Sequence, residues 1–230
     1  MISVVIPAYN EANDIGDLLA TFCTFPDVEL IVAEDASTDG TAAIVQGFAE
    51  HASNIKLTSS NVLTGKGAAI KRGLLLASGD VLGFLDADRS IHPRDFMRVV
   101  VAIGNGADLA IGSRRLPESK VIARQPFFRR VLGSAYNVLA RALVDTNVKD
   151  FQCGCKAFRR TVWDSLDISC DGFAFDTELI AQARDKGFAI AEVPVTWNNK
   201  SNSKVRKRDI WPMLKCLLRV RADVRGREHG

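Results

Sequence analysis

Histidine is scarce in this sequence, and the cysteines are few and irregularly spaced. The three histidines stand at positions 51, 92 and 229, and no two of them are four residues apart. The sequence therefore offers too few suitable histidines for a histidine-based zinc site. The five cysteines are odd in number and include the C-x-C pair Cys153 and Cys155 but no C-x-x-C. We therefore expect a reducing compartment without a disulfide framework, and any metal ion should be held by oxygen atoms.

Long apolar runs and targeting signals are also missing. No uncharged apolar run approaches the roughly 18–20 residues of a membrane-spanning helix. The opening residues, MISVVIP, carry no basic segment of the kind that begins a secretory signal. We therefore expect a cytoplasmic protein. Hydrophobic residues make up 47% of the chain and charged residues 25%, which is typical of an ordinary globular domain.

Positive charge is concentrated in two segments. Residues 200–230 contain ten Lys/Arg and three acidic residues, a net charge of +7 in a chain whose total is +3. Residues 114–130 contain six Lys/Arg and one Glu. With two Tyr, three Trp and no recognisable binding motif, nucleic acid is not an expected partner. The two segments fit an anionic membrane surface. The commoner alternative is a terminal helix that packs an apolar face on the sheet, formed by Ile210, Met213, Leu214, Leu217 and Leu218.

Apolar β-branched runs alternate with helical patterns along the first half of the chain. The patterns predict strands over 2–8, 28–33, 55–58, 81–85 and 109–111, with helices over 10–22, 41–51, 68–77 and 93–103 between them. A later helix ends near residue 143, a late strand covers 187–197, and an amphipathic helix closes the chain. This alternation predicts an α/β fold with a mainly parallel central sheet flanked by helices.

Polar clusters follow four of these strands, at residues 7–11, 34–35, 86–88 and 112–114. In such sheets ligands bind outside the carboxyl ends of the strands, so the clusters should share one crevice. Asp86 and Asp88 alternate after a buried strand and suit a hard divalent ion, Mg²⁺ or Mn²⁺, that also grips a diphosphate. A solvated turn that caps a helix is the alternative. The turn at 65–67 (GKG) resembles a phosphate loop, but the P-loop and dinucleotide-binding spacings are absent.

Taken in order, these motifs resemble the inverting family 2 glycosyltransferases of GT-A fold. The segments 150–158 (DFQCGCKAF), 173–179 (FAFDTEL) and 192–195 (EVPV), with Ser203 and Lys204, are similar to the branch that uses polyprenyl-phosphate acceptors. The resemblance covers residues 2 to about 206. It implies a GT-A domain over 1–205, with a nucleotide-sugar half (1–116) and an acceptor half (117–205), followed by a basic amphipathic helix and tail over 206–230.

The resemblance also implies an activity and a set of site residues. The enzyme would move glucose or mannose from UDP-glucose or GDP-mannose to dolichyl or undecaprenyl phosphate at the cytoplasmic face of a membrane, where a separate anchoring protein is one candidate partner. Asp86 and Asp88 would hold Mg²⁺ or Mn²⁺. The expected nucleotide-sugar contacts are Pro7, Ala8, Tyr9, Glu11, Ala33, Asp35, Lys66, Asp86, Ala87 and Asp88. The expected acceptor-phosphate contacts are Arg114, Arg130, Lys204 and Arg206.

The expected catalytic residues are Asp86, Asp150 and Arg114. Asp150 would serve as a base or orient the acceptor, with Asp176 and Glu178 as rivals. A lipid monophosphate, with a second pKa near 6, is already largely ionised at neutral pH, so positioning matters more than proton removal.

Two departures from the family pattern leave the donor open. Ser90 stands where some relatives have Gln, and Asn198 stands where mannose synthases have Arg, while the segment 153–158 favours the glucosyltransferases. Three alternatives stay open: the same fold with a soluble or saccharide acceptor, a sugar nucleotidyltransferase, and a nucleotide-binding protein without activity. The nucleotidyltransferase is disfavoured because such enzymes usually begin with a Gly-rich basic loop.

Overall fold

A seven-stranded sheet with helices on both faces forms the centre of the molecule. The computed structural model describes residues 1–123, 127–144, 146–200 and 207–228. The strands are β1 (Ile2–Ala8), β2 (Val28–Asp35), β3 (Ile55–Ser60), β4 (Val81–Leu85), β5 (Leu109–Ser113), β6 (Lys120–Ala123), β7 (Cys155–Arg159), β8 (Ile190–Pro194) and β9 (Thr196–Asn198). The helices are α1 (Ile15–Phe22), α2 (Thr41–His51), α3 (Lys66–Leu74), α4 (Pro93–Gly104), α5 (Phe127–Val144), α6 (Arg160–Ser165), α7 (Phe175–Asp185) and α8 (Lys207–Glu228).

The strand order is β3-β2-β1-β4-β7-β5-β8, and every strand is parallel to its neighbours except β7. The prediction of a mainly parallel sheet is therefore confirmed. The pattern did not predict β7, whose apolar run is interrupted by Lys156. This strand lies between β4 and β5, so the expected halves 1–116 and 117–205 contribute to one shared sheet.

Three predicted boundaries differ from the structure. The late strand expected over 187–197 is two strands in different sheets, because β8 pairs with β5 and β9 pairs with β6. The first helix begins at Ile15, since residues 10–14 form a loop tied to the segment after β2. The third helix begins earlier than expected, at Lys66, and ends at Leu74.

Alternate strand residues face two hydrophobic layers, as the period of a strand requires. Val5, Ile31 and Phe84 belong to the layer shared with α3, α5, α7 and α8. Val4 and Leu30 belong to the opposite layer, shared with α1, α2 and α4. Each fully buried large apolar side chain contributes about 1.5–3 kcal/mol, so the layers hold the carboxyl ends of the strands in fixed positions.

The C-terminal helix α8 packs on the domain and leaves part of its surface exposed. Leu217 is 1% exposed and lies in the core, with Met213 packed beside it. The predicted apolar face is wrong at Leu218, which is 61% exposed, because packing against α7 centres the buried stripe on Cys216 and Leu217 instead. The side chain of Ile210 is outside the described set. No helix in the described parts of the chain is both long enough and apolar enough to cross a membrane.

A disulfide joins Cys170, in the loop before α7, to Cys216 of α8. The expectation of a chain without disulfides is therefore wrong at this pair. The two cysteines are 46 residues apart in the sequence, and only the packing of α8 against α7 brings them together. Cys23, Cys153 and Cys155 are free.

Candidate active site

The predicted polar clusters meet at one edge of the sheet. The strands β1, β2 and β4 are parallel neighbours, and β5 runs in the same direction beyond β7. The chain leaves β1 for β2 on one side and reaches β4 on the other, which places a topological switch point between β1 and β4. Open α/β sheets bind their ligands at this place.

The loop after β1 is tied to the loop after β2. The Asn10 N–H donates to Ser37 Oγ at 3.0 Å, and the Thr38 N–H donates to Asn10 Oδ1 at 2.8 Å. The Glu11 N–H donates to Thr41 Oγ1 at 2.9 Å. Asn10 has a φ of 52°, a left-handed conformation that Asn tolerates better than most residues. These bonds fix the backbone at Asn10 and Glu11, and the nucleotide contacts of Pro7, Ala8, Tyr9 and Glu11 stay predictions.

Asp35 has a structural task that the sequence did not reveal. Its buried carboxylate accepts hydrogen bonds from the backbone N–H groups of Thr64 (3.0 Å) and Gly65 (2.8 Å), and from Thr64 Oγ1 (2.5 Å). Asp35 thus positions the turn that precedes Lys66. The nucleoside contacts expected for Asp35 and for the buried Ala33 stay predictions.

The glycines on either side of Lys66 are explained by packing. A Cβ on Gly65 would lie 2.7 Å from the Asp171 carbonyl oxygen, and one on Gly67 would lie 2.7 Å from the Cys170 carbonyl oxygen. Gly65 also has a φ of 103°, which disfavours other residues. The GKG spacing therefore lets the loop before α7 approach closely, and it presents Lys66 at the first position of α3.

Four charged side chains form a chain from the protein interior to the end of β4. Lys156 is fully buried and pairs with Asp176, the shortest contact of the series. Lys66 Nζ lies 3.4 Å from Asp176 Oδ2 and 2.8 Å from Asp86 Oδ1. Although burial opposes its charge, the two carboxylates raise the pKa of Lys66 above its usual value, so Lys66 is a cation. The sequence pattern did not identify Lys156, which looks like a polar interruption of an apolar strand.

Asp86 and Asp88 suit a divalent cation. The backbone N–H of Asp86 donates to the Gly154 carbonyl oxygen at 2.9 Å. A Cβ on Gly154 would lie 1.7 Å from Asp86 Oδ2, so glycine at this position leaves room for the carboxylate. Burial and the nearby charge of Asp88 raise the pKa of the Asp86 carboxyl, and Lys66 offsets this only in part. Two carboxylates whose negative charge Lys66 balances only in part provide the hard oxygen ligands that Mg²⁺ and Mn²⁺ prefer. The residues present therefore fit the expected metal ion.

Arg114 and Asp150 form a bidentate ion pair at the end of β5. The Arg114 Nε and Nη2 atoms donate to the two oxygens of Asp150, each at 2.7 Å, and the Arg114 N–H adds a third bond at 3.0 Å. The guanidinium also lies 5.4 Å from the ring centroid of Trp197. Although burial opposes ionisation, Arg114 holds the pKa of the Asp150 carboxyl below its usual value. A carboxylate so engaged is a weak base, and the geometry favours the second role expected for Asp150, orientation.

The structure does not test the other residues expected to contact the acceptor. Arg130 is exposed on α5. Lys204 and Arg206 lie outside the described residues. Near Asp150, Glu192 accepts the backbone N–H of Asp150 at 3.1 Å, so this residue of the EVPV segment fixes the Arg114 partner.

The rivals of Asp150 differ from each other. Glu178 is committed to structure, since it accepts from the Ser169 and Cys170 N–H groups at 3.1 and 2.7 Å, while Arg219 lies 3.7 Å away. Asp176 instead lies within the charged chain described above. Among the described residues, the only group of three ligating side chains that lies within 4.8 Å is Cys170, Glu178 and Cys216. Because its sulfurs are joined as a disulfide, it does not suit a metal ion.

The two departures from the family pattern are in contact. The Asn198 N–H donates to the Ser90 carbonyl oxygen at 2.8 Å, and the Ser90 N–H donates to Asp88 Oδ1 at 2.9 Å. Ser90 is 8% exposed, so its backbone links β9 to the carboxylate of Asp88. This link explains how a residue late in the chain can affect the expected metal site.

Comparison with known proteins supports the family. Residues 3–166 match the model of glycosyl transferase family 2. The chain is 36% identical to the glycosyltransferase AglD of Haloferax volcanii over 95% of its own length and 36% of that protein. It is 33% identical to the polyprenol monophosphomannose synthase of Mycolicibacterium smegmatis over 86% of the chain and 77% of that protein. It is 32% identical to the dolichyl-phosphate beta-glucosyltransferase of Dictyostelium discoideum over 96% of the chain and 73% of that protein.

The fold is also found in a solved structure. The glucosyl-3-phosphoglycerate synthase of Mycobacterium tuberculosis, in complex with Mn²⁺, uridine diphosphate and phosphoglyceric acid, superposes with a TM-score of 0.73 at 23% identity, over 97% of this chain and 78% of that one. The expected GT-A architecture is confirmed by this likeness. The match of the family model to residues 3–166 establishes that the chain belongs to glycosyl transferase family 2.

Proposed function

We propose that this protein is a metal-dependent enzyme that transfers a hexose from a nucleotide sugar to a polyprenyl phosphate. The observation that carries the proposal is the arrangement at the carboxyl edge of the sheet. The carboxylate of Asp86 pairs with the Lys66 ammonium and is close enough to Asp88 and Arg114 to feel their charges, and Asp150 fixes the Arg114 guanidinium. The names of the curated relatives supply the substrate classes, since they include dolichyl-phosphate glucosyltransferases and a polyprenol monophosphomannose synthase.

The donor half of the reaction needs positive charge at the diphosphate. Asp86 and Asp88 would hold Mg²⁺ or Mn²⁺, which neutralises the charge that develops on the departing nucleoside diphosphate. Lys66, at the first position of α3, supplies a second cation on the same side of the site. The proposed contacts of the base and ribose lie in residues 7–11 and at the end of β2, where Asp35 holds the turn that precedes Lys66.

The acceptor half needs orientation of an anion that is already ionised. Arg114 carries the charge that attracts the lipid phosphate, and Asp150 is the residue that fixes the guanidinium plane. A phosphate oxygen held there attacks the anomeric carbon as the diphosphate leaves from the opposite face, with inversion. No strong base is required, which agrees with the engagement of Asp150 by Arg114.

A lipid acceptor requires contact with a membrane surface. The contacting helices α5 and α8 expose Val138 (65%), Trp211 (65%) and Leu218 (61%) to solvent. Arg141 and Lys215 lie on the same two helices. Apolar side chains combined with basic residues favour binding to an anionic bilayer, and we propose that this surface docks on the cytoplasmic leaflet.

The test is a transfer assay with purified protein. We would combine Mn²⁺ or Mg²⁺, a polyprenyl phosphate in detergent, and either UDP-glucose or GDP-mannose, and analyse the lipid by mass spectrometry. The proposal expects a hexose mass shift with one donor, and loss of that product when the metal is removed by a chelator. Release of nucleotide without a glycosylated lipid would contradict the acceptor assignment and favour a soluble acceptor.

A further inference from the structure

The two carboxylates that face Lys66 are unequally satisfied. Asp176 Oδ1 pairs with Lys156, but Asp176 Oδ2 is buried and has no hydrogen-bond partner among the described residues. It lies 3.4 Å from Lys66 Nζ, whereas Asp86 Oδ1 receives that ammonium at 2.8 Å. A buried carboxylate oxygen without a donor destabilises the fold, so its persistence beside a lysine requires a reason.

Lys156 is fixed and cannot supply the missing bond. It is fully buried, and its ammonium donates to the backbone oxygens of Phe151 (3.0 Å) and Cys153 (2.8 Å) as well as to Asp176 Oδ1. These three bonds use all three of its protons. Lys66 is the remaining cation beside Asp176 within the described parts of the chain, and it lies at the edge of the interior with 11% of its side chain exposed.

A metal ion at Asp86 changes the balance between the two carboxylates. A divalent cation and the Lys66 ammonium would compete for the Asp86 carboxylate and repel each other. The ammonium then needs another acceptor, and Asp176 Oδ2 requires only a sub-ångström shift to come within ordinary hydrogen-bond distance. The two ammonium groups lie at similar distances from the centroid of the Phe84 ring, 5.5 Å for Lys66 and 5.4 Å for Lys156. This apolar ring limits the positions that the Lys66 ammonium can reach.

We propose that Lys66 exchanges between Asp86 in the metal-free site and Asp176 when the metal is bound, with Asp176 acting as a positioning residue for that exchange. The inference rests on the proposed metal-dependent function. Lys66 then holds the site together before the metal arrives and stays close enough to meet the donor diphosphate afterwards. Asp176 lowers the cost of moving the ammonium off Asp86, and so it strengthens metal binding without touching the metal.

The test is a double-mutant cycle on Mn²⁺ affinity, measured by the loss of the free Mn²⁺ signal in electron paramagnetic resonance, without donor or acceptor. The four proteins are wild type, Asp176→Asn, Lys66→Met and the double variant. Asp176→Asn should weaken Mn²⁺ binding about fivefold when Lys66 is present and less than about twofold in the Lys66→Met background, the pattern expected of contacting residues. An equal effect in both backgrounds would overturn the proposal, because a direct electrostatic effect of Asp176 does not need Lys66.

Two controls keep the cycle interpretable. Asp171→Asn removes an exposed carboxylate in the adjacent loop, which pairs with Lys71 at 2.6 Å, and should leave Mn²⁺ affinity unchanged. Asp176→Asn leaves the buried Lys156 ammonium without its carboxylate partner and so could prevent folding. In that case the double change Lys156→Met with Asp176→Asn takes the place of Asp176→Asn in the cycle. The charge of Lys156 then cancels between the two backgrounds.

A further variant separates this inference from the proposed function. Asp88→Asn should abolish Mn²⁺ binding if the proposed metal site is right. Binding that ignores Asp88 would overturn the metal site and the exchange together. Binding that depends on Asp88 but shows no coupling between Lys66 and Asp176 would overturn the exchange alone.

Discussion

Carboxylates lie at both ends of the central sheet, and their surroundings differ. At the amino end, the oxygens of Glu29 accept hydrogen bonds from Lys56 Nζ (2.5 Å), Ser3 Oγ (2.5 Å), and the N–H and Oγ of Ser78 (2.9 and 2.7 Å). At the carboxyl end, one buried oxygen of Asp176 has no hydrogen-bond partner in the described parts of the chain. The protein satisfies the carboxylate of the first cluster fully and that of the second only in part.

The pKa values follow the same division. Although burial opposes ionisation, the bonds from Lys56, Ser3 and Ser78 lower the pKa of Glu29 from 4.5 to about 2. Burial and Asp88 raise the pKa of Asp86 instead. A carboxylate that the protein itself satisfies stabilises the fold, whereas one left with excess charge is available to a cation. The amino end should therefore respond to mutation in stability, and the carboxyl end in activity.

Asp88→Asn should produce the largest effect, and it should impair turnover without affecting stability. We expect turnover to fall by roughly 10²–10³-fold, the loss typical of removing one group that stabilises developing charge. The free energy of unfolding should change by less than about 0.5 kcal/mol, since Asn keeps the oxygen that accepts the Ser90 N–H. Turnover and urea denaturation, measured on the same preparation, test this. Normal turnover would remove Asp88 from the site.

Asp150→Asn should affect both properties, because its ion pair is buried and also presents Arg114. We expect a loss of about 3 kcal/mol in the free energy of unfolding, since the guanidinium loses its charged partner. The acceptor KM should rise more than kcat falls, because Asp150 orients Arg114 and does not itself take a proton. A fall in kcat alone, with a new dependence on pH, would favour the base role.

Glu29→Gln should have the opposite effect and lower stability without affecting turnover. We expect a loss of about 1.5–3 kcal/mol of stability at pH 7, as for hydrogen bonds to a charged group, and unchanged turnover per folded molecule. The sign follows from the lowered pKa. The contribution of Glu29 is present above pH 4.5 and is lost as the pH falls toward about 2.

Urea denaturation between pH 7 and pH 3 measures this difference. The stability of the wild type should approach that of Glu29→Gln at the acid end of the range. A constant difference between the two proteins at every pH would show that Glu29 does not titrate in the folded state as its bonds indicate.

Ser78→Ala should give the smallest effect and sharpen the same comparison. It removes the hydroxyl bond to Glu29 but keeps the backbone bond, so the expected loss is about 0.5–1.5 kcal/mol. Thermal or chemical denaturation detects it. A loss as large as that of Glu29→Gln would mean that the cluster acts as one unit and not as separate bonds.

The sequence predicted the parts of the fold that follow local rules. Up to residue 113, the spacing of apolar residues predicts the alternation of strands and helices. The polar clusters at the strand ends meet because parallel strands end at the same edge of the sheet. The antiparallel strand β7 was missed because Lys156 interrupts its apolar run. The lysine is satisfied by Asp176, and no spacing rule connects residues 20 apart in the sequence.

The sequence predicted that these polar residues would share one edge of the sheet, but it did not predict the contacts that support them. Asp86, Asp88, Lys66 and Arg114 stand in motifs, and the structure brings them to the same edge of the sheet. The support that Asp35 gives to the Lys66 turn arises from long-range packing, and so does the Cys170–Cys216 disulfide. Such contacts form only once the sheet and its helices are assembled.

The most direct test of the account is the Mn²⁺ affinity of three proteins: wild type, Asp88→Asn and Glu29→Gln. Each can be titrated with Mn²⁺ under identical conditions at neutral pH. The account predicts that wild type and Glu29→Gln bind Mn²⁺ equally and that Asp88→Asn does not bind it. Equal binding by all three would contradict the claim that the carboxyl end of the sheet is the metal and donor site.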